Sequence, residues 1–203
     1  MALTPAQLLL LKADILANVA TIPAGQPWTN GFAGVAVNAV PNSGDGNATV
    51  AGWYSQKAIP DWIVWRDVPM EDILNLITFA NMTPLDAVPT TPDLTVQVWI
   101  ARSLACQGKQ FNLQNLTIGR TTAPMEAANY RAALQDALTG LPAGAAGAII
   151  AANWAGVRDA AKFTALRVEK VLSTGTGSTA SPADLGYEGT VTADQIEAAR
   201  SAA

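Results

Sequence analysis

The chain has 203 residues, half of them hydrophobic, which makes one domain or at most two small ones, with core enough to need no disulfide or metal. Histidine is absent and Cys106 is the single cysteine, which excludes histidine triads, histidine metal sites, cysteine zinc clusters and internal disulfides. Twelve basic against sixteen acidic residues leave a net charge of −4, without the basic excess of a nucleic-acid binder, and charged residues are only 14 % of the chain. So sparse a charge predicts an exterior largely covered by partners.

The opening segment predicts a helix. Thr4 is placed as N-cap, Pro5 as the first helical residue and Gln7 as the reciprocal cap, with Leu8, Leu11, Ile15 and Val19 on one face up to Pro23. Lys12 and Asp14 interrupt the apolar run Leu8 to Leu11, so neither a secretory signal nor a membrane span is expected. Residues 23–60 are punctuated by Gly, Pro and Asn. Their composition predicts a turn over Asn42 to Asn47 and a projecting hairpin or extended loop, with Val50, Trp53 and Tyr54 on a strand or short helix. Trp62 to Arg66 is a short β-prone run, and Pro69 opens a helix to about Phe79 with Glu71 and Asp72 in its first turn.

Pro84 and Pro89 break the chain, and Thr91-Pro92-Asp93 starts a helix that Gly108 ends near Lys109. Leu94, Val98 and Trp99, with Ala101 and Ala105 behind, are expected on its inner face. A polar stretch from Phe111 to Arg120 follows. Pro124 and Glu126 then open a helix stopped by Gly140 and Pro142. The last long helical signal runs from about Ala145 to Leu172, with a break near Phe163-Thr164. Beyond Ser173 the chain turns small, polar and uncharged through Ser181, the composition of a flexible connection. Ser181 to Asp184 marks a helical turn, and Thr192 with Gln195 forms a second capping box before Ile196 to Ala203. The expected architecture is mainly α: a helical core over residues 1–172 with a loop or hairpin insertion at about 23–60, and an extended C-terminal arm over 173–203.

Few residues promise chemistry. Gly175 to Thr179 has the glycines of a phosphate-cradling loop but neither the preceding strand nor the lysine, so it reads as linker. Asp67, Glu71 and Asp72 are explained by a helix start, and Asn42, Asp45 and Asn47 lack the ligand pattern of a calcium loop. Cys106 has no histidine to activate it and reads as a core residue. Trp62, Trp65, Trp99 and Trp154 sit in apolar segments and suit the core; Trp28 and Trp53, in the Gly/Pro-rich region, are the better anchors for another chain. Arg158, Lys162, Arg167 and Lys170 suggest a basic stripe along the last long helix, and Tyr187 and Ile196 complete the candidate contacts. No catalytic residue, cofactor or metal is expected.

The two ends of the chain resemble a known family. Leu3-Thr-Pro-Ala-Gln-Leu8 with Leu11-Lys-Ala-Asp-Ile-Leu16, then Val64-Trp-Arg66, Arg167-Val-Glu-Lys-Val-Leu172, Thr174-Gly-Thr-Gly177 and Ser181-Pro-Ala-Asp-Leu-Gly-Tyr-Glu-Gly189, are similar to small virion-associated proteins of tailed bacteriophages. The likeness covers about the first twenty and the last forty residues, and 23–60 is longer than the family's pattern. It implies a structural component of the particle, made in the host cytoplasm. Within that class the helical core and arm resemble head-to-tail adaptors. Such adaptors form a homo-oligomeric ring of twelve copies between the portal protein and the tail or nozzle proteins, touching packaged DNA at most non-specifically. Other virion positions (tail tube, fibre anchor, head decoration) are the second expectation, and a cell-wall enzyme using Asp67, Glu71 or Glu126 the third.

Overall fold

The computed structural model describes residues 2–83, 94–143 and 148–203. Its elements in chain order are α1 (Pro5–Ala17), α2 (Gly44–Tyr54), β1 (Ile63–Trp65), β2 (Val68–Pro69), α3 (Met70–Leu76), α4 (Leu94–Thr117), β3 (Thr122–Ala123), α5 (Ala128–Leu138), β4 (Leu141–Ala143), β5 (Ala148–Ile150), α6 (Trp154–Ala160), β6 (Lys162–Thr164), α7 (Arg167–Leu172) and α8 (Ala193–Ser201). The fold is mainly α, as the periodicity predicts. Strands among the described residues pair only two by two, β1 with β6, β2 with β3 and β4 with β5. The breaks at Pro84 and Pro89, the cap at Thr91 to Asp93 and the helix start at Ala145 lie outside the described residues. Two compact units result, Met1–Trp65 with Phe163–Ala203, and Arg66–Lys162.

The first unit joins both ends of the chain. Thr4 Oγ1 accepts from the Gln7 N–H at 3.3 Å, and Gln7 Oε1 accepts from the Thr4 N–H at 2.8 Å, so α1 starts where its local signal places it. Leu11 and Ile15 are buried, whereas Val19 falls past the Asn18 cap and is exposed. The segment expected as a turn instead begins α2. Ser43 Oγ accepts from the Gly46 N–H, and Asp45 sits in the first turn, where the helix dipole favours it. Val50, Trp53 and Tyr54 therefore lie on a helix, the second of the two forms expected, and the expected loop lies ahead of it, closed where Ile22 and Val35 meet beside the antiparallel Thr21–Ala36 bridge. Two glycines of α2 are packing residues: a Cβ at Gly46 would stand 2.0 Å from the Pro41 carbonyl oxygen, and one at Gly52 would meet Trp28 at 2.6 Å.

The C-terminal residues are not an arm. Residues 173–192 are indeed extended, without α-helix, but they are tied down along their length. Thr174 and Asp184 exchange backbone hydrogen bonds at 3.0 and 2.9 Å, the Ile63 N–H donates to Gly177 O at 2.7 Å, and the Ala183 N–H donates to Ile63 O at 2.8 Å. Glu169, fully buried, accepts from the Leu166 N–H at 2.7 Å and the Gly189 N–H at 2.9 Å, which pins the segment to α7 and satisfies a carboxylate taken out of water. Ser181 to Asp184, expected as a helical turn, is spent on these bridges. After a reciprocal Thr192–Gln195 box, α8 packs on α1 and α2. Tyr187, Val191, Ile196 and Ala199 thereby join Leu11, Ile15, Val50, Trp53 and Leu172 in one core cluster. A core ending at 172 is corrected accordingly: α7 covers only part of the apolar faces of α1 and α2, and α8 covers the rest.

The second unit is contiguous. The β2–β3 pair (Val68 opposite Ala123) seats α3 beside the chain leading into α5. Helix α4 does not stop at Gly108 but runs to Thr117, because Cys106 and Leu113 on its inner side are buried and outweigh the roughly 1 kcal/mol that a mid-helix glycine costs. Phe111 to Arg120 is thus mostly helix, and Val98 points outward. The long helix expected from Ala145 to Leu172 is divided into the end of the antiparallel β4–β5 hairpin, α6, β6 and α7. Asn153, in the left-handed region at φ 64°, starts α6 afresh by accepting from the Gly156 N–H at 3.3 Å and donating to Leu76 O at 2.9 Å.

Candidate functional site

Three of the residues singled out from the sequence converge on one recess of the first unit. Trp53 and Tyr54 come from the last turn of α2, Asp14 and Asn18 from the end of α1, and Arg167 and Lys170 from α7; Ala58, Ile59 and Val171 complete the wall of a cavity of about 200 Å³. The Arg167 guanidinium lies flat on Trp53, its carbon 3.5 Å from the ring centroid, while Nη1 donates to Trp53 O at 3.2 Å. Lys170 Nζ stands 5.3 Å from the Trp62 centroid, and Trp62 Nε1 donates to Ser173 Oγ at 2.9 Å. Among the described residues neither cation faces a carboxylate within ion-pair distance, and burial lowers the Arg167 pKa from its ordinary range. Aromatic rings hold both cations in place of carboxylates.

The neighbouring polar pair is fixed rather than reactive. Tyr54 Oη donates to Asp14 Oδ2 at 2.5 Å and accepts from Asn18 Nδ2 at 3.3 Å. Burial first, and the carboxylate acceptor second, push the Tyr54 hydroxyl far above its ordinary value of 10.0, so it stays protonated as a permanent donor. The arrangement suits holding an anionic group at the mouth of the recess, not moving a proton. Among the described residues no group of three metal-ligating side chains could hold an ion, and no helix is long and apolar enough to cross a membrane.

The remaining candidates are dispersed. Arg158 and Lys162 belong to the second unit and share one acid: Arg158 Nε and Nη2 reach Asp159 at 2.8 and 3.1 Å, and Lys162 Nζ reaches it at 2.9 Å. Arg158, then Lys162, hold the Asp159 carboxyl down to about 2. The four basic residues therefore do not form a stripe on one helix, since β6 separates α6 from α7. Trp53, Tyr187 and Ile196 are buried in the core and are unavailable as anchors; Trp28 is half-buried over Gly52, where a Cβ would meet it at 2.6 Å. Asp67 is committed to structure, accepting from the Glu126 N–H at 3.0 Å.

No family model, curated protein or solved structure matches the chain.

What the sequence reading missed is an apolar exterior. On α1, Leu9, Leu10 and Leu16 face solvent, and on α4 Ile100, Leu104 and Phe111, with Ile118 in the turn just past its end, do so at 46–66 % exposure. The seven-residue spacing of Leu104, Phe111 and Ile118 was a legible signal, hidden by ending the helix at Gly108.

Proposed function

We propose that this chain is a non-enzymatic structural subunit of a tailed-bacteriophage particle, most concretely a head-to-tail adaptor that assembles as a ring between portal and tail proteins. One observation carries the assembling role: each unit turns a row of large apolar side chains outward on a helix, α1 in one and α4 in the other, in a chain with only 14 % charged residues. Rows of that kind mark protein–protein contact in a soluble chain. The likeness at the two chain ends supports the phage setting. A gripping C-terminal arm has no part in the reading, because that segment is core; the contacts fall instead to the helix faces and to the Arg167–Lys170 recess, which suits an acidic side chain of a neighbour.

Sedimentation and negative-stain microscopy of the purified protein, alone and mixed with portal protein, test it. Ring-shaped assemblies at about a dozen copies are expected, and hundreds of copies per particle would move the protein to a decoration role. A chain that stays monomeric at high concentration with and without portal protein refutes the reading.

A further inference from the structure

Helix α4 is two-sided. Cys106 and Leu113 are buried on its inner side, and Lys109 and Gln110 are anchored inward, Lys109 Nζ to Asp136 Oδ1 at 2.7 Å and Gln110 Nε2 to Met82 O at 2.8 Å. At 100° per residue the opposite side carries Ile100, Leu104 and Phe111 along one edge and Ala101, Gly108 and Asn115 along the other; Ile118 and Gly119 continue the two edges in the turn that ends the helix, where the Ile118 N–H still donates to Gln114 O at 2.8 Å. Large residues thus alternate with small ones at three- and four-residue steps, the spacing of a coiled-coil seam.

We propose that this seam binds the same seam of a second copy, antiparallel, about a two-fold axis between Lys109 and Gln110. The pattern is complementary to itself in only that orientation. Turning the helix end for end about that point sets Phe111 opposite Gly108, Leu104 opposite Asn115, Ile118 opposite Ala101 and Ile100 opposite Gly119. Every large side chain meets a small one, so the backbones approach closely and each knob finds a hole. In a parallel pair, Phe111 would face Phe111 and Gly108 would face Gly108, leaving bulges and gaps along the same line.

Charge permits the pairing. None of the eight seam residues is charged, and Lys109, the cation nearest the axis, is already neutralised by Asp136. The seam spans about 28 Å, and its eight residues a side make a small patch beside the ~20–30 a side of a standard specific interface. The pair is therefore a reversible dimer. The inference rests on reading the chain as an assembling subunit and names the partner of one face. Because a two-fold contact satisfies itself and stops at two, it describes free copies before ring closure, and a ring needs other surfaces such as α1.

Two measurements test it. In sedimentation equilibrium, Phe111→Asp weakens dimerisation about 30-fold or more, while Leu16→Ser on α1 leaves the dimer unchanged; circular dichroism confirms that both variants fold, as these exposed positions allow. Under mild oxidation, the double variant Leu104→Cys, Asn115→Cys forms a covalent dimer. Leu104→Cys alone and the parent chain, with Cys106 buried, do not. Within one chain, positions 104 and 115 lie about 16 Å apart along the helix, too far for a disulfide. Cross-linking of Leu104→Cys alone at the rate of the double variant overturns the antiparallel pairing. An assembly whose size ignores Phe111→Asp overturns the inference and leaves the structural role standing, whereas a strictly monomeric protein overturns both.

Discussion

Replacing Ile196 with alanine separates a C-terminal arm from a C-terminal keystone. The side chain is 0 % exposed at the centre of α8, inside the cluster formed with α1 and α2. The substitution removes three carbons, about 2.5 kcal/mol of transfer free energy at ~0.8 kcal/mol each, and the unfilled space raises the cost to about 3–4 kcal/mol. At about 4 °C per kcal/mol, the melting point of that unit falls by roughly 12–16 °C. Glu197→Ala, one residue on and exposed, is the control and stays within about 0.5 kcal/mol. Urea titration followed by far-ultraviolet circular dichroism reads both variants, and the slope of the transition of the first unit should not change. Equal, small shifts for the two variants would show that α8 is dispensable and that the packing argument is wrong.

Other consequences are open to simple assays. Gly177→Ala destabilises the first unit by more than about 2 kcal/mol in the same titration, since the position has φ 62° and its Cβ would stand 2.1 Å from Trp62. Tyr54→Phe flattens the alkaline loss of stability. The wild-type hydroxyl is raised in the folded state, so its contribution is intact below the ordinary 10.0 and fades as pH climbs above it; pH-dependent melting should show the variant falling less steeply. Cys106, buried and with its thiol pushed up by that burial, reacts with a thiol reagent more than about tenfold faster in denaturant than in buffer, and so reports opening of the second unit.

Legibility in the sequence followed the range of the interactions. Helices α1 and α8 were readable because Thr4–Gln7 and Thr192–Gln195 carry their start signals within three residues. The start of α2 was disguised by Gly44 and Gly46, turn residues by composition, of which Gly46 is required for close approach to Pro41. Small residues also misled in the tail. Gly177 lies against Trp62 and Gly186 against the Leu172 carbonyl, so their smallness permits docking where composition alone argued for a loose linker. The recess was half legible. Trp53, Arg167 and Lys170 stood out by type, but their meeting depends on the packing of α2 against α7, more than a hundred residues apart in the chain. Asp14 and Tyr54 carried no local mark at all. The α4 seam was the reverse case, a local pattern lost to a wrong helix end.

The split composition of the first unit has a consequence for biosynthesis. Residues 66–162 emerge as one continuous stretch and can fold as they leave the ribosome, whereas α1 and α2 must wait for α7 and α8. At ~5–20 residues per second, the wait from the end of α2 to the end of α8 is on the order of 7–30 s, during which the apolar sides of two helices stay uncovered and open to chaperones. A stalled or truncated message would thus yield a polypeptide with its middle finished and its beginning stranded.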